Sequence, residues 1–140
     1  KEDGTPFYGE GYVFSSKADV LRTGSKATIV ASGPMVIRAL DAAKNLGNVE
    51  VIAVSSFVPF DAETVVASAK KTGRVITIQD HNVKTGLGKF VKNALFDAGL
   101  IVKFKALGVS EYQLSGTADE LYEKVGLTAS NIETCVKAMI

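Results

Sequence analysis

Between Gly73 and Phe90 the chain changes its periodicity, and this stretch limits what it can fold into. Val75 to Ile78 is a short run of apolar and β-branched residues, the mark of a buried strand, which we place at 74–79. From Leu87 onward the period is helical, with Leu87, Phe90, Val91, Ala94, Leu95 and Ala98 on one face. Between the two lie Asp80, His81, the sole histidine, and Asn82, followed by Gly86-Leu87-Gly88. A strand that passes through a polar, glycine-bearing corner into a helix is half of a βαβ unit, and such corners are where open α/β sheets hold their ligands.

The same grammar appears twice upstream. Ala27 to Ala31 reads as a strand buried on both faces, and Pro34 has the φ favoured at a helix start, with Ser32 placed to cap nearby amides. Val36, Ala39, Leu40, Ala43 and Leu46 supply the apolar stripe of that helix until Gly47-Asn48 ends it. Strand 49–54 follows, apolar throughout in this reading, then loop 55–60, and Asp61 is a natural N-cap for a helix carrying Val65, Val66 and Ala69. Residues 1–16, broken by Gly4, Pro6, Gly9 and Gly11, read as an arm or linker, and a short strand is placed at 18–21. Residues 17–140 form the domain.

Downstream, strand 101–107 alternates Val102, Phe104 and Ala106 with Lys103 and Lys105, the pattern of an edge strand guarded by lysines. Thr117 to Glu120 is a capping box opening a helix through Val125. In the C-terminal helix Ile132, Cys135, Val136, Met139 and Ile140 share one face, so Cys135 points into a core, and Met139-Ile140 is core or interface. At 140 residues there is room for one core, and 46% apolar with 22% charged residues is the balance of a soluble globular domain. A net charge of +1 gives no electrostatic reason to expect nucleic acid or a membrane surface. No apolar run approaches the roughly 20 residues that span a bilayer, and the start has no secretory apolar segment, so the reading is a cytoplasmic protein. A first residue that is Lys instead of Met reads as a cut or processed chain.

On the residues alone no catalytic set assembles. One histidine, one mid-helix cysteine and no acid beside either do not make a nucleophile with its base, and the clustered ligands of a metal site are absent. His81 reads either as a ligand contact or as a turn histidine bonded to backbone. Gly86 and Gly88 either cradle a phosphate or only let a helix approach its sheet, since a third glycine and a ribose-binding acid are missing. Phe57 and Phe60, beside Pro59, are an interface patch or a loop anchor.

Four pieces in order give the chain a resemblance. Lys17-Ala-Asp-Val-Leu-Arg22 before Ala27-Thr-Ile-Val-Ala-Ser-Gly33, Val58-Pro59-Phe60-Asp61, Val75-Ile-Thr-Ile-Gln-Asp-His-Asn82 with Gly-Leu-Gly88, and Glu120-Leu-Tyr-Glu-Lys-Val-Gly-Leu-Thr-Ala-Ser-Asn-Ile132 together resemble the transketolase C-terminal domain. The same domain type closes 1-deoxyxylulose-5-phosphate synthases and the E1 β subunits of 2-oxo acid dehydrogenases, which are the alternatives, beside a stand-alone nucleotide-binding module. The resemblance implies a three-layer α/β/α sandwich with a five-stranded mixed sheet, order 1-3-2-4-5, first strand antiparallel. It implies a parent enzyme that moves two-carbon ketol units between sugar phosphates with thiamine diphosphate and Mg2+ or Ca2+, held by domains outside this chain. This sequence has no Gly-Asp-Gly element for that cofactor. The implied partners are the N-terminal and middle domains of the parent and a second copy of it.

With that strand order the switch point falls between strands 27–31 and 74–79, so Ser32 and Gly33 face His81 and Asn82. Helix starts at Pro34 and near Gly86 then aim amides into one crevice, which points to an anion or regulatory site made by Ser32, Gly33, His81, Asn82 and Gly86. Asp80 opposes this unless Arg74 or Lys84 pairs with it.

Overall fold

The computed structural model describes residues 4–140. Its elements run β1 (Asp19–Arg22), β2 (Ala27–Ala31), α1 (Met35–Leu46), β3 (Val49–Ala53), α2 (Ala62–Thr72), β4 (Arg74–Asn82), α3 (Leu87–Asp97), β5 (Lys103–Val109), α4 (Ala118–Lys124) and α5 (Ala129–Lys137). The five strands form one sheet in the order β1-β3-β2-β4-β5. β1 is antiparallel to β3, and β2, β3, β4 and β5 are parallel to one another. The expected topology is therefore present, with β5 at the edge.

Side chains of successive strand residues point to opposite faces, and this divides the apolar residues into two cores. Ile29, Val51, Ile76 and Ile78 face α1 and α5 with Met35, Ala39, Ile132 and Val136. Val30, Ile52 and Val75 face α2 and α3 with Val65, Leu87, Val91 and Leu95. Cys135 lies in the first core, as its helical spacing predicts. Ile140 does not; it is half exposed at the chain end, one residue past the last turn that packs. Ala98, at the end of α3, is likewise exposed.

The central strands are not apolar throughout. Buried Thr28 shares hydrogen bonds with Ser68 (2.6 Å) and Thr72 (2.8 Å), and buried Glu50 takes the Lys71 ammonium and the Gly24 amide. Such burial is tolerated because each group finds a partner. Burial pushes the Glu50 carboxyl up, but the Lys71, Ser68 and Gly24 donors outweigh it and leave the pKa below the ordinary carboxylate value. Two elements are displaced from their predicted spans. β4 runs on through Asp80, His81 and Asn82, because Asn82 still pairs with Val109 across a register shift. β5 starts at Lys103, two residues later than predicted, so Val102 precedes it, and Ile101 is fully exposed. The lysines of β5 do point outward, and Lys92 lies over the Phe104 ring at 5.2 Å.

Two of the caps read from sequence act as such: Asp61 accepts from the Thr64 amide, and Thr117 and Glu120 close a capping box; Thr128, not singled out from sequence, also caps by accepting from the Asn131 amide. Ser32 caps nothing; α1 begins at Pro34 without a side-chain cap. Phe57 and Phe60 anchor their loop, each ring lying within 6 Å of Phe90 (5.3 and 5.6 Å between centroids). In the arm, the Tyr8 and Tyr12 rings stack at 3.8 Å and both hydroxyls donate to Asp19.

Candidate functional site

At the carboxyl ends of β2 and β4 the chain turns into α1 on one face and α3 on the other, leaving a crevice of about 730 Å3. Ser32, Gly33, His81 and Gly86 line it, so four of the five residues singled out from sequence meet there. Asn82 does not. Its side chain turns back to accept the Lys84 amide (2.8 Å), and its carbonyl accepts from Gln79 (2.6 Å) and Gly86 (3.2 Å), closing the β4–α3 corner.

The two helix ends are not equivalent. At α3 the Gly88 amide, in the first turn, donates to Gln79 Oε1 at 3.1 Å, while Gln79 Nε2 holds the Asn82 carbonyl. Gln79 is 2% exposed and therefore acts as a cap supplied from the strand. A Cβ on Gly86 would lie 2.4 Å from the Gln79 amide nitrogen, so glycine there is a condition of the cap. Gly88 sits against Thr77 and Ala106 side chains, at 3.1 and 3.2 Å from where its Cβ would be. The pair thus brings helix to sheet, the plainer of its two readings. At α1 no side chain takes the first amides, and the Ser32 hydroxyl has no hydrogen-bond partner among the described residues although Ser32 is only 7% exposed.

The charge in the crevice is Asp80. Its carboxylate accepts from His81 Nδ1 at 2.9 Å and from the Tyr122 hydroxyl at 3.3 Å, and lies 3.9 Å from the position a Cβ would take on Gly33. Burial, then the Asp80 charge, push the Tyr122 hydroxyl above its ordinary pKa, so it remains a proton donor to Asp80. Tyr122 is held in turn under the Arg38 guanidinium, 5.0 Å from its ring centre, and Arg38 pairs with Asp119. Arg74 and Lys84, the partners expected for Asp80, are elsewhere: Arg74, at the opposite end of β4, donates to the Met139, Lys26 and Thr72 carbonyls. His81 is an exposed strand residue whose ring bonds a carboxylate instead of backbone. The remaining walls are largely apolar, with Ile37, Val54, Phe57 and Leu87 from the domain and Phe7 and Tyr8 from the arm. Gln79 and Tyr122 were missed from sequence. Only Gln79 left a trace, a polar residue closing a β-branched run.

Thiamine diphosphate with its divalent cation does not fit these residues. Among the described residues no three His, Cys, Asp or Glu side chains come together to hold a metal, and the single carboxylate of the crevice already has two donors. An acid does lie beside His81, contrary to the sequence reading, because Asp80 bonds its ring at 2.9 Å; but among the described residues no hydroxyl or thiol bonds that ring, and Cys135 is buried in the core.

A mixed α/β sandwich with its first strand antiparallel and a ligand-sized crevice at the switch point defines a fold class, and the fold by itself does not fix a function. The family model for the transketolase C-terminal domain matches residues 16–132, and the chain belongs to that family. Among curated proteins, a 1-deoxy-D-xylulose-5-phosphate synthase of Trichormus variabilis is 34% identical over 136 residues, covering 92% of this chain and 21% of that protein. The 6-deoxy-6-sulfo-D-fructose transketolase subunit SqwH of a Clostridium species is 40% identical over 121 residues, covering 83% of this chain and 37% of the subunit. Among solved structures, a split gene transketolase described as an inactive beta4 tetramer superposes with a TM-score of 0.89 at 33% identity, over 96% of this chain and 46% of that one. The transketolase of Leishmania mexicana gives 0.66 at 25% identity, over 89% of this chain and 18% of that one. The chain thus spans between about a fifth and a half of the proteins it matches. No helix among the described residues is long and apolar enough to cross a membrane.

Proposed function

We propose that this chain is the C-terminal domain of a cytoplasmic transketolase, an enzyme that transfers two-carbon ketol units between sugar phosphates in the pentose phosphate pathway. Its part is to support the packing of the parent's N-terminal and middle domains and the pairing of two parent subunits. Thiamine diphosphate and Mg2+ or Ca2+ belong, in this reading, to those other domains. The observation that carries it is one of proportion: the split gene transketolase chain contains nearly all of this fold and as much chain again, while the fold itself assembles no catalytic set among its described residues.

A parent of the 1-deoxyxylulose-5-phosphate synthase kind is the second reading, favoured by the several synthases that are 33–36% identical to this chain. Assay of the full-length parent separates them: ketol transfer between sugar phosphates supports the first, and condensation of pyruvate with glyceraldehyde 3-phosphate the second. The supporting role is tested by ending the parent polypeptide before residue 17 of this numbering. Loss of the dimer in sedimentation is expected; an unchanged dimer with unchanged turnover contradicts the proposal.

A further inference from the structure

The crevice has the size of a ligand site, since such sites commonly enclose about 300–1,000 Å3 with apolar walls and a few convergent polar groups. Its walls are largely apolar and partly aromatic, with Phe57, Leu87, Ile37 and Tyr8 among them, which suits an apolar, aromatic body. Two polar groups read the head of such a molecule. Ser32 is more than nine-tenths buried as a residue and lines the crevice, and its hydroxyl, which has no partner among the described residues, is accessible there to bond a ligand. The Asp80 carboxylate is fixed in place by His81 and Tyr122 but retains acceptor capacity, because an ionised carboxylate has about four lone-pair sites and these two donors occupy two.

The sign of the charge decides the ligand class. The start of α1 carries a partial positive charge of roughly half a unit, worth about 0.3–1 kcal/mol to an anion at one helix end. Asp80, a full negative charge, lies 3.9 Å from where a Cβ on Gly33 would stand, so an anion at that helix start would sit close to the protein's own carboxylate. An anion meets repulsion there, and at the α3 end Gln79 already takes the Gly88 amide.

We propose that the crevice binds a small molecule with a flat apolar body and an N–H or O–H donor head, uncharged or cationic, read by Asp80 and Ser32, and that it is not an anion site. This holds whether or not the parent transfers ketol units, and it replaces the anion reading of the same residues.

Three probes of one shape test it on the 140-residue chain: benzamidine, benzamide and benzoate, with inorganic phosphate as a fourth. Their effects are read from the backbone amide NMR signals of Gly33, His81 and Leu87. Benzamidine is expected to shift these signals saturably at millimolar concentration, benzamide more weakly, and benzoate and phosphate not at all. Asp80→Asn is expected to lower benzamidine affinity about tenfold while leaving benzamide nearly unchanged, the size of one charge-assisted hydrogen bond. Ser32→Ala is expected to weaken both, and an otherwise unchanged spectrum shows that each variant is folded. If benzoate or phosphate binds as tightly as benzamidine, or no aromatic probe moves these signals, or neither substitution alters binding, the proposal is overturned.

Discussion

The two ends of the parallel strands are built in opposite ways. At the amino ends, backbone and side chains are sewn together: Ser25 and Lys26 amides meet the Asn48 carbonyl at 3.0 Å, Glu50 holds Gly24 and Lys71, and Arg74 and Lys103 both donate to the Met139 carbonyl. At the carboxyl ends of β2 and β4 the chain leaves a crevice, a helix start without a side-chain cap and, in Ser32, a hydroxyl without a partner among the described residues. The lesson is that stability and function draw on different ends: the stitched end holds the fold, which frees the other end to leave groups unsatisfied for something that binds.

Substitutions sort by end. The largest loss is expected from Gly24→Ala, since its Cβ would fall 2.3 Å from the Val49 carbonyl carbon and 2.4 Å from the Glu50 nitrogen, both backbone atoms with nowhere to move. A cost of about 3 kcal/mol or more in urea unfolding is expected. Gly86→Ala probes a tight feature of the open end; displacing Gln79 strips the α3 cap and is expected to cost about 1–3 kcal/mol. A milder loss than Gly24→Ala would sharpen the contrast, and an equal one would break it.

Glu50→Gln is expected to cost about 1–2 kcal/mol at neutral pH and to flatten the acid limb of the stability curve. The sign follows from linkage. The folded pKa of Glu50 lies below its ordinary value, so its contribution is complete above the unfolded carboxylate range and is lost as pH falls through the folded pKa. Asp61 acts in the same direction: burial raises it, but Thr64 and Ala18 donors lower it further, and it keeps its slope in the Glu50→Gln protein. Urea midpoints at pH 7 and at about pH 3 read the difference. The smallest effect belongs to His81→Ala, whose ring is 78% exposed; it is expected to change stability by less than about 0.5 kcal/mol.

Much of this was legible in the sequence, and the exceptions share a cause. Runs such as 27–31 and 49–53 announce buried strands, and Asp61 and Thr117 mark helix starts by local chemistry that needs no tertiary context. Asp80, His81 and Asn82 read as a turn because polar residues at a glycine-bearing corner usually are one; the ladder to Val109 keeps them extended, and that strand lies more than twenty residues away. The company of Asp80 was illegible for the same reason, since Tyr122 reaches it from α4, 42 residues downstream. Ser32 was correctly placed at the crevice but not as an uncapping residue, because only the turn at Gly33 decides where its hydroxyl points.

The central claim, that this domain supports an enzyme without performing its chemistry, is tested most directly by a ketol-transfer assay on the purified 140-residue chain supplied with thiamine diphosphate, Mg2+ and sugar phosphates. A cooperatively folded protein with no turnover above background is the predicted result. Turnover that co-purifies with the folded chain and is lost on its unfolding would contradict it.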